Sequence, residues 1–423
     1  MFNYFYNILV IFIQFKKIII LKIKNCRSCK NTSLTNLYSL GKHSLTGIFP
    51  STKNSKITKG NLSMIICNKC KLLQLENNFD ANEMYGDNYG YMSSLNSSMV
   101  SHLKLKALSL KKKYNLKINN NILDIGSNDG TFLSFFNNKF KLFGCDPTIK
   151  KFSKYYRKDI NQIPSFFTSK LFKDKKFDLI TSISMFYDLP DPLNFAKEIK
   201  SILHKDGVWH IELSYMPMMI KNRSYDTICH EHLEYYSLRS LKYLLDKADL
   251  KIINLSFNQI NGGSIEVDIA KKKSKLKESK PLINWVLKSE RLNKYNEIKK
   301  HKDFFKECQN HKVLLKNLLV TLKKQNKKII GYGASTKGNV LLQYCNINSN
   351  LLNCISEVNK FKFNKYTPGS NIKIISEKKA KLKNPDYMLV LPWHFKDNIL
   401  HREQKFLKNG GKLIFPLPDI EII

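Results

Sequence analysis

The feature of this chain that most constrains its fold is an apolar run at residues 121–125 that leads into a glycine-rich turn. Asp124 lies near the end of the run, Gly126 and Gly130 bracket the turn, and a helical pattern begins at Thr131. This order predicts a buried parallel strand that feeds a helix, with backbone passing close to a ligand. A purely structural turn is the alternative. The Gly-x-x-x-Gly spacing argues against a nicotinamide dinucleotide, whose fingerprint is Gly-x-Gly-x-x-Gly.

The following segments continue an alternation of strands and helices. Residues 141–146 predict the second strand, and Asp146 closes it about 20 residues after the glycine turn, where a doubly wound fold places an acid on ribose hydroxyls. Residues 177–183 and 206–212 predict the fourth and fifth strands, with a helix at 193–203 between them. Residues 97–114 predict a basic amphipathic helix before the sheet.

A second strand-turn-helix unit begins at residue 328 and contains Gly331, Gly333 and Lys337. Residues 352–357, 386–391 and 411–416 supply further apolar strands, so we expect a second Rossmann-like sheet. Free backbone N–H groups at the helix start, together with Lys337, suit a phosphate, although a plain turn remains the alternative. The lysine-rich segment 281–328 has apolar residues at helical spacing, which are best explained as packing faces.

Two Cys-x-x-Cys pairs, Cys26 with Cys29 and Cys67 with Cys70, lie within one 45-residue segment. Each pair offers two thiolates at the spacing of one metal, which predicts a tetrahedral Zn²⁺ site. Four thiolates leave no open position, so the metal would be structural. A disulfide or redox pair is the alternative. The other five cysteines are scattered, which suits a reducing compartment.

The formal net charge of +37 invites a nucleic-acid interpretation, but 65 of the 71 basic residues are lysine. Lysine, asparagine and isoleucine are abundant throughout, as an AT-rich genome would produce, and no arginines cluster as base and phosphate recognition favours. We therefore expect no nucleic acid as the main substrate. The positive field could still attract an anionic substrate.

The apolar residues 1–21 are short for a membrane span and lack the positive leader of a secretory signal. A mis-set translation start is one explanation, and a membrane-associating helix is the other. We expect no stable membrane insertion, and a cytoplasmic protein that is a monomer or homodimer.

Between the fifth strand and the second sheet, His230 and His232 flank Glu231. Near neutral pH, histidine, glutamate and tyrosine can act as the base that removes a C–H proton or as the group that holds an enolate oxygen. A metal site or a structural histidine pair are alternatives.

Six features follow in order along the chain: the four-cysteine segment, Gly-Ser-Asn-Asp-Gly at 126–130, His-Glu-His at 230–232, Asn-Gly-Gly-Ser at 261–264, Gly-Tyr-Gly-Ala-Ser-Thr-Lys-Gly-Asn at 331–339 and Pro-Gly-Ser at 368–370. Together they resemble the zinc-containing sugar C-methyltransferases that act on nucleotide-linked keto-deoxysugars. The resemblance covers about residues 24 to 423.

The resemblance implies an S-adenosylmethionine site and a role in deoxysugar biosynthesis. Asp124 would hold the ammonium end, the turn would hold the methionine part, and Asp146 would bind the ribose; the implied turn residues are Gly126, Ser127, Asn128 and Gly130. His232 would be the general base, Glu231 would orient or polarise, and His230 is expected among the catalytic residues as well. Lys337, Asn339 and Tyr332 would bind the substrate.

Two departures from the family pattern accompany these roles. A tyrosine commonly precedes the first histidine of the loop and helps to hold the enolate, but Cys229 stands there. Asn261 stands where a histidine often precedes the glycine pair. In the family an aromatic loop upstream of the glycine turn reaches the site, and Tyr89 or Tyr91 would match it.

The sequence therefore predicts an α/β chain with an N-terminal zinc-binding module, a class I methyltransferase domain of Rossmann-like fold and a second Rossmann-like C-terminal domain. The expected boundaries are 1–21 for the apolar extension, 22–80, 81–275, 276–327 for a helical connector, and 328–423. The expected function is C-methylation of a nucleotide-linked ketosugar. An O- or N-methyltransferase on another saccharide or small molecule, and a zinc-ribbon nucleic-acid-binding protein with a degenerate methyltransferase fold, are the alternatives.

Overall fold

The computed structural model describes residues 21–85 and 90–423. The apolar extension, apart from Leu21, and Tyr89 lie outside the described residues. Every helix within these two ranges is too short or too polar to cross a bilayer.

The N-terminal module is built around antiparallel strands. Its elements are β1 (Leu21–Lys22), β2 (Leu34–Ser44), β3 (Lys59–Cys67), β4 (Leu73–Leu75), β5 (Asn77–Asn78) and helix α1 (Ala81–Tyr85). Strands β2, β3 and β4 form successive antiparallel pairs, while β1 pairs with β5. Apolar side chains of β3 and β4 are buried, so this small sheet contributes to the core of the molecule.

The central domain contains a seven-stranded sheet. In chain order its elements are α2 (Ser97–Lys113), β6 (Asn121–Ile125), α3 (Thr131–Ser134), β7 (Lys141–Cys145), α4 (Ile149–Phe152), β8 (Ile160–Ile163), β9 (Phe177–Ile183), α5 (Pro192–Ile202), β10 (Leu203–Ser214), α6 (Met216–Lys221), β11 (Glu234–Tyr235), α7 (Leu238–Lys247), β12 (Leu250–Asn258) and β13 (Ser264–Lys271). The spatial order is β12-β13-β10-β9-β6-β7-β8. The last five strands in this order are parallel, and β12 and β13 are antiparallel to their neighbours. The chain reverses its direction of travel across the sheet between β6 and β9, and ligands bind at such a switch point.

The C-terminal domain repeats this design. Two connecting helices, α8 (Lys280–Leu292) and α9 (Ile298–Lys324), precede β14 (Ile329–Tyr332), α10 (Thr336–Tyr344), β15 (Ile355–Glu357), β16 (Ile374–Ser376), α11 (Glu377–Lys381), β17 (Tyr387–Val390), α12 (Lys396–Arg402), α13 (Gln404–Lys408), β18 (Lys412–Phe415) and β19 (Glu421–Ile422). The strand order is β16-β15-β14-β17-β18-β19, parallel except at β19. The predicted α/β fold class, with two Rossmann-like sheets, is confirmed.

Strand β11 does not join the central sheet. It pairs with β4, so the order of the N-terminal sheet is β11-β4-β3-β2. The predicted boundary at residue 80 therefore does not separate two independent sheets, because residues 234–235 supply a strand to the first. A two-residue strand has no periodicity that a sequence could reveal.

The predicted helix at 97–114 is observed as α2, which packs on the sheet through ion pairs as well as apolar contacts. The buried Lys106 Nζ lies 2.5 Å from Glu212 Oε2 and 2.9 Å from Glu266 Oε1. His102 Nε2 lies 2.8 Å from the same Glu212 oxygen. These two acids and His102 have the composition of a cation site, but the ammonium of Lys106 already takes the place of a cation there.

Candidate active site

The glycine turn after β6 is held by the acid that ends β7. Asp146 Oδ2 accepts from the Asn128 N–H at 2.9 Å, and Oδ1 accepts from the Thr148 N–H at 2.7 Å. Gly126 and Gly130 have φ of +78° and +77°, which a side chain would strain. Asp146 thus fixes the turn from inside, while its remaining lone pairs can accept from ribose hydroxyls.

Asp124 is buried beneath this turn, and its Oδ1 accepts from the Thr181 hydroxyl at 2.6 Å. Burial raises the pKa of Asp124 to about 7; the Thr181 hydrogen bond lowers it and the nearby Asp146 raises it. A cation bound beside this carboxyl would hold it ionised. The residues present therefore fit an amino-acid ligand with an ammonium group.

The segment upstream of α2 is tied directly to the turn. Asn128 Oδ1 accepts from the Ser93 N–H at 3.0 Å, and Asn128 Nδ2 donates to the Tyr91 carbonyl at 3.2 Å. The Ser94 N–H donates to Asp129 Oδ2 at 2.9 Å. The structure thus places Tyr91, whose side chain is 44% exposed, beside the turn.

Residues 184–188, which we call the β9 loop, connect three parts of the site. A Cβ atom at Gly126 would lie 2.9 Å from Met185 Cγ, so this side chain packs on the glycine turn. Two residues later, the Tyr187 ring contacts the His232 ring edge-on, with 4.4 Å between centroids. Asn261 Nδ2 donates to the Ser184 hydroxyl at 3.2 Å. The glycine turn and the His232 loop therefore contact one short segment.

His232 is partly exposed, and its Nδ1 lies 2.8 Å from the Thr227 carbonyl oxygen. A carbonyl only accepts, so Nδ1 carries the proton and Nε2 keeps its lone pair. Burial and the positive charge of Lys337 together lower the pKa of His232 to about 3, against the Thr227 hydrogen bond, which raises it. The imidazole is therefore neutral at physiological pH.

Lys337, in the first turn of α10, reaches the same region. Its Nζ donates to the Asn261 carbonyl at 2.6 Å. Burial raises the pKa of Asp226, and the charge of Lys337 lowers it. Burial lowers the pKa of Lys337, whereas Asp226 and Cys229 raise it. A half-buried ammonium beside a neutral imidazole is suited to an anion.

Sequence reasoning missed Asp226, Trp393 and His394. Trp393 Nε1 donates to Asp226 Oδ2 at 2.8 Å, and the other oxygen of this buried carboxyl makes no hydrogen bond within the described part of the chain. Burial, and then Lys337, lower the pKa of His394 well below its ordinary value. His394 follows β17, and since carboxyl ends of parallel strands meet at one edge, its position could have indicated it.

Glu231 is 7% exposed, and its Oε2 accepts from the Thr46 hydroxyl at 3.1 Å. Burial raises the pKa of Glu231, and hydrogen bonds from its own backbone, Thr46, Cys229 and Gly47 lower it. Burial also raises the pKa of the Cys229 thiol well above its ordinary value, so this side chain is a neutral thiol.

Three predicted residues lie elsewhere. His230 is fully buried against the N-terminal module, with Nε2 3.3 Å from the Gly60 carbonyl and its ring edge-on to Phe79. Asn339 is also fully buried, and its amide donates to the Thr46 carbonyl at 2.7 Å. Tyr332 donates to Glu403 Oε1 at 3.1 Å. The side chains of His230, Asn339 and Tyr332 thus bind other parts of the chain, and their roles at the site stay predictions.

The four cysteines converge at one end of the N-terminal sheet. The Sγ atoms of Cys26 and Cys70 are 3.5 Å apart, as are those of Cys29 and Cys67, and all four lie within 4.8 Å of one another. No disulfide joins any of the nine cysteines. Gln74 Nε2 donates to Cys26 Sγ at 3.4 Å. Four convergent thiols with an outer hydrogen bond fit a structural Zn²⁺ ion.

Family models match three consecutive parts of the chain. One for a zinc binding domain matches residues 26–85, one described as a methyltransferase domain matches 99–255, and one described as a C-methyltransferase C-terminal domain matches 259–418.

Individual proteins match to different extents. The C-methyltransferase NovU of Streptomyces niveus is 27% identical over 413 residues, which are 96% of this chain and 98% of that protein. A tRNA U34 carboxymethyltransferase of Campylobacter jejuni is 28% identical over 152 residues, 31% of this chain and 49% of that protein. Among solved structures, an S-adenosylmethionine-dependent methyltransferase from Clostridium acetobutylicum has a TM-score of 0.34 and 14% identity, over 41% of this chain and 92% of that one. The three family models follow in one order, and the match to NovU extends over nearly the whole length of both proteins. The chain is an S-adenosylmethionine-dependent methyltransferase with a zinc-binding module, and it is similar over nearly its whole length to a C-methyltransferase.

Proposed function

We propose that this enzyme methylates a carbon next to the ketone of a nucleotide-linked deoxysugar, with His232 as the general base. The observation that carries the proposal is the hydrogen bond from His232 Nδ1 to the Thr227 carbonyl, because it leaves Nε2 free to accept a proton. The β9 loop, which contacts both the Gly126 turn and the His232 ring, supports a shared site for donor and acceptor. The full-length similarity to a protein named as a C-methyltransferase supports carbon as the acceptor atom.

In the proposed reaction, His232 Nε2 takes the proton from the carbon beside the ketone, and the C–H electron pair moves into the carbon–carbon bond of an enolate. When bound, S-adenosylmethionine supplies an electrophilic methyl group. The enolate carbon would bond to that methyl carbon, and the carbon–sulfur electron pair would leave with the sulfur. Holding the two partners in line contributes much of the rate.

Lys337 supports an anionic acceptor. Its positive charge lowers the pKa of the neighbouring His232, which weakens the base in the empty enzyme. The phosphates of a nucleotide-linked sugar beside Lys337 would offset this charge and thereby strengthen the base. We propose that Lys337 binds the nucleotide diphosphate and couples its arrival to the activity of His232.

The enolate oxygen needs a hydrogen-bond donor, and the neutral Cys229 thiol is a weak one. We propose that the phenol of Tyr91 serves instead, because the Asn128 contact ties its backbone to the donor turn.

The test is deuterium exchange at the carbon beside the ketone, in D₂O without S-adenosylmethionine, with a panel of nucleoside-diphosphate-linked ketosugars. We expect exchange with wild type, and a loss of roughly 10²-fold or more in both exchange and methyl transfer for His232→Ala. Binding of S-adenosylmethionine should be unchanged. The control His401→Ala removes an exposed histidine of α12 and should retain full activity. Methyl transfer without any exchange would instead indicate an O- or N-methyltransferase.

A further inference from the structure

The Glu231 carboxylate lies against a loop of the N-terminal module, 185 positions away in sequence from the hydroxyl that it accepts. Thr46, which donates that hydroxyl, is 0% exposed. A Cβ atom at Gly47 would lie 2.4 Å from Glu231 Oε1, so the carboxylate rests directly on bare backbone.

The same loop is fixed from its other side by helix α10. Asn339 Nδ2 donates to the Thr46 carbonyl at 2.7 Å. One turn later, Gln343 accepts from the Ser44 N–H at 2.8 Å and donates to the Ser44 carbonyl at 3.1 Å. Thr46 is therefore the point at which the zinc-binding module, the His232 loop and the C-terminal domain meet.

The groups that face Glu231 favour different protonation states. Burial and the charge of Asp188, on the β9 loop, oppose a carboxylate. Hydrogen bonds from the backbone of Glu231 itself, the Thr46 hydroxyl, the Cys229 thiol and the Gly47 backbone favour it. Of these donors, only Thr46 joins the carboxylate to a side chain of another module.

We infer that Thr46 is a positioning residue: its hydroxyl keeps Glu231 seated in the N-terminal module and so fixes the loop that carries His232. This inference rests on the proposed function only for the role of His232. The hydrogen bond itself can be tested without a substrate. The loss of a hydrogen bond to a charged group changes an equilibrium or rate constant that depends on it by about tenfold to a hundredfold.

The first experiment is an infrared titration of the carboxyl band of Glu231, assigned by its disappearance in Glu231→Gln. Thr46→Val should raise the titration midpoint by about one pH unit or more, because the carboxylate loses a donor. Thr46→Ser retains the hydroxyl and should titrate as wild type. The matched control is Thr35→Val, since the hydroxyl of Thr35 donates to Asn68 Oδ1 at 3.1 Å in an exposed part of the same module. If Thr46→Val fails to fold, Thr46→Ala takes its place. The zinc content of every variant is measured.

The second experiment compares turnover with the ketosugar panel. Thr46→Val should lower kcat about tenfold to a hundredfold and leave the affinity for S-adenosylmethionine unchanged. Thr46→Ser should have the kcat of wild type. In a Glu231→Gln background, neither substitution should change kcat further. An unshifted titration in Thr46→Val, or an equal loss of kcat in the Glu231→Gln background, would overturn the inference. A shifted titration in a protein that exchanges no ketosugar would retain the Thr46–Glu231 contact and reject the proposed function.

Discussion

Lys337 and His232 act on each other through charge, and this coupling can be measured in the free enzyme. We predict that Lys337→Met raises the pKa of His232 from about 3 towards its ordinary value, because a positive charge that disfavours the imidazolium is removed. Titration of the ¹⁵N-labelled histidine ring would show the shift. Lys312→Met is the control, since Lys312 lowers the pKa of His43 instead. A His232 titration that Lys312→Met moves as much would contradict the specific coupling.

The buried His230 makes a second prediction, on stability. Burial lowers the pKa of His230 to about 4 from an ordinary 6.5. Between these two values, this imidazole is therefore protonated in the unfolded chain but neutral in the folded one. His230→Gln, whose amide can also donate to the Gly60 carbonyl, removes this term. The free energy of unfolding of wild type should therefore fall by about 2 kcal/mol relative to His230→Gln between pH 7.5 and pH 5.

Urea unfolding at the two pH values measures this difference. An unchanged difference would mean that His230 titrates alike in both states. The comparison between variants is needed because several other buried histidines and acids, Asp124 among them, titrate in the same range with effects of both signs.

The sequence indicated the His-Glu-His loop but not that its two histidines contact different parts of the molecule. His230 and His232 are two positions apart, and the structure turns one into the N-terminal module and the other towards the β9 loop. No local pattern distinguishes them, because the difference arises from contacts with residues far away in sequence. Thr46 could not be found for the same reason.

At the scale of elements, the glycine turn after β6 supports a prediction with a built-in control. Gly126 and Gly410 have φ of +78° and +84°, so alanine at either position strains the backbone by about 1–2 kcal/mol. Only at Gly126 would the new Cβ meet another group, Met185 Cγ at 2.9 Å, whereas nothing lies within 4 Å at Gly410.

Both Gly126→Ala and Gly410→Ala should therefore lower the free energy of unfolding, but only Gly126→Ala should weaken S-adenosylmethionine binding, by about tenfold or more, because Met185 and the turn must shift. Calorimetric titration measures the affinity. Equal affinities in the two variants would show that the turn does not touch the donor.

The long, regular elements were the predictable ones. The helix expected at 97–114 is α2, and the apolar runs at 121–125 and 177–183 are β6 and β9. Because one or both faces of these elements are buried, apolar residues recur along them at a regular spacing. Strand β11 has two residues and pairs with a strand far away in the chain, so its assignment depends on tertiary structure alone.

At the scale of the whole molecule, the β4–β11 pair connects the four-cysteine cluster to the His232 loop. Strand β4 begins three residues after Cys70, and β11 begins two residues after His232. The Leu75 N–H also donates to the Leu233 carbonyl at 2.9 Å. The four thiolates therefore stabilise the strand on which the His232 loop is anchored, while the donor turn lies on a different sheet.

Removal of zinc should consequently separate the two halves of the reaction. We predict that chelation, or Cys29→Ser, abolishes ketosugar exchange while S-adenosylmethionine affinity changes by less than about threefold, since structural zinc contributes folding energy to its own module. Cys354→Ser, a buried cysteine of the C-terminal domain, is the control and should retain zinc and exchange. If donor affinity and exchange were lost together, the modules would unfold as one unit; if neither changed, the thiolate cluster would not support the His232 loop at all.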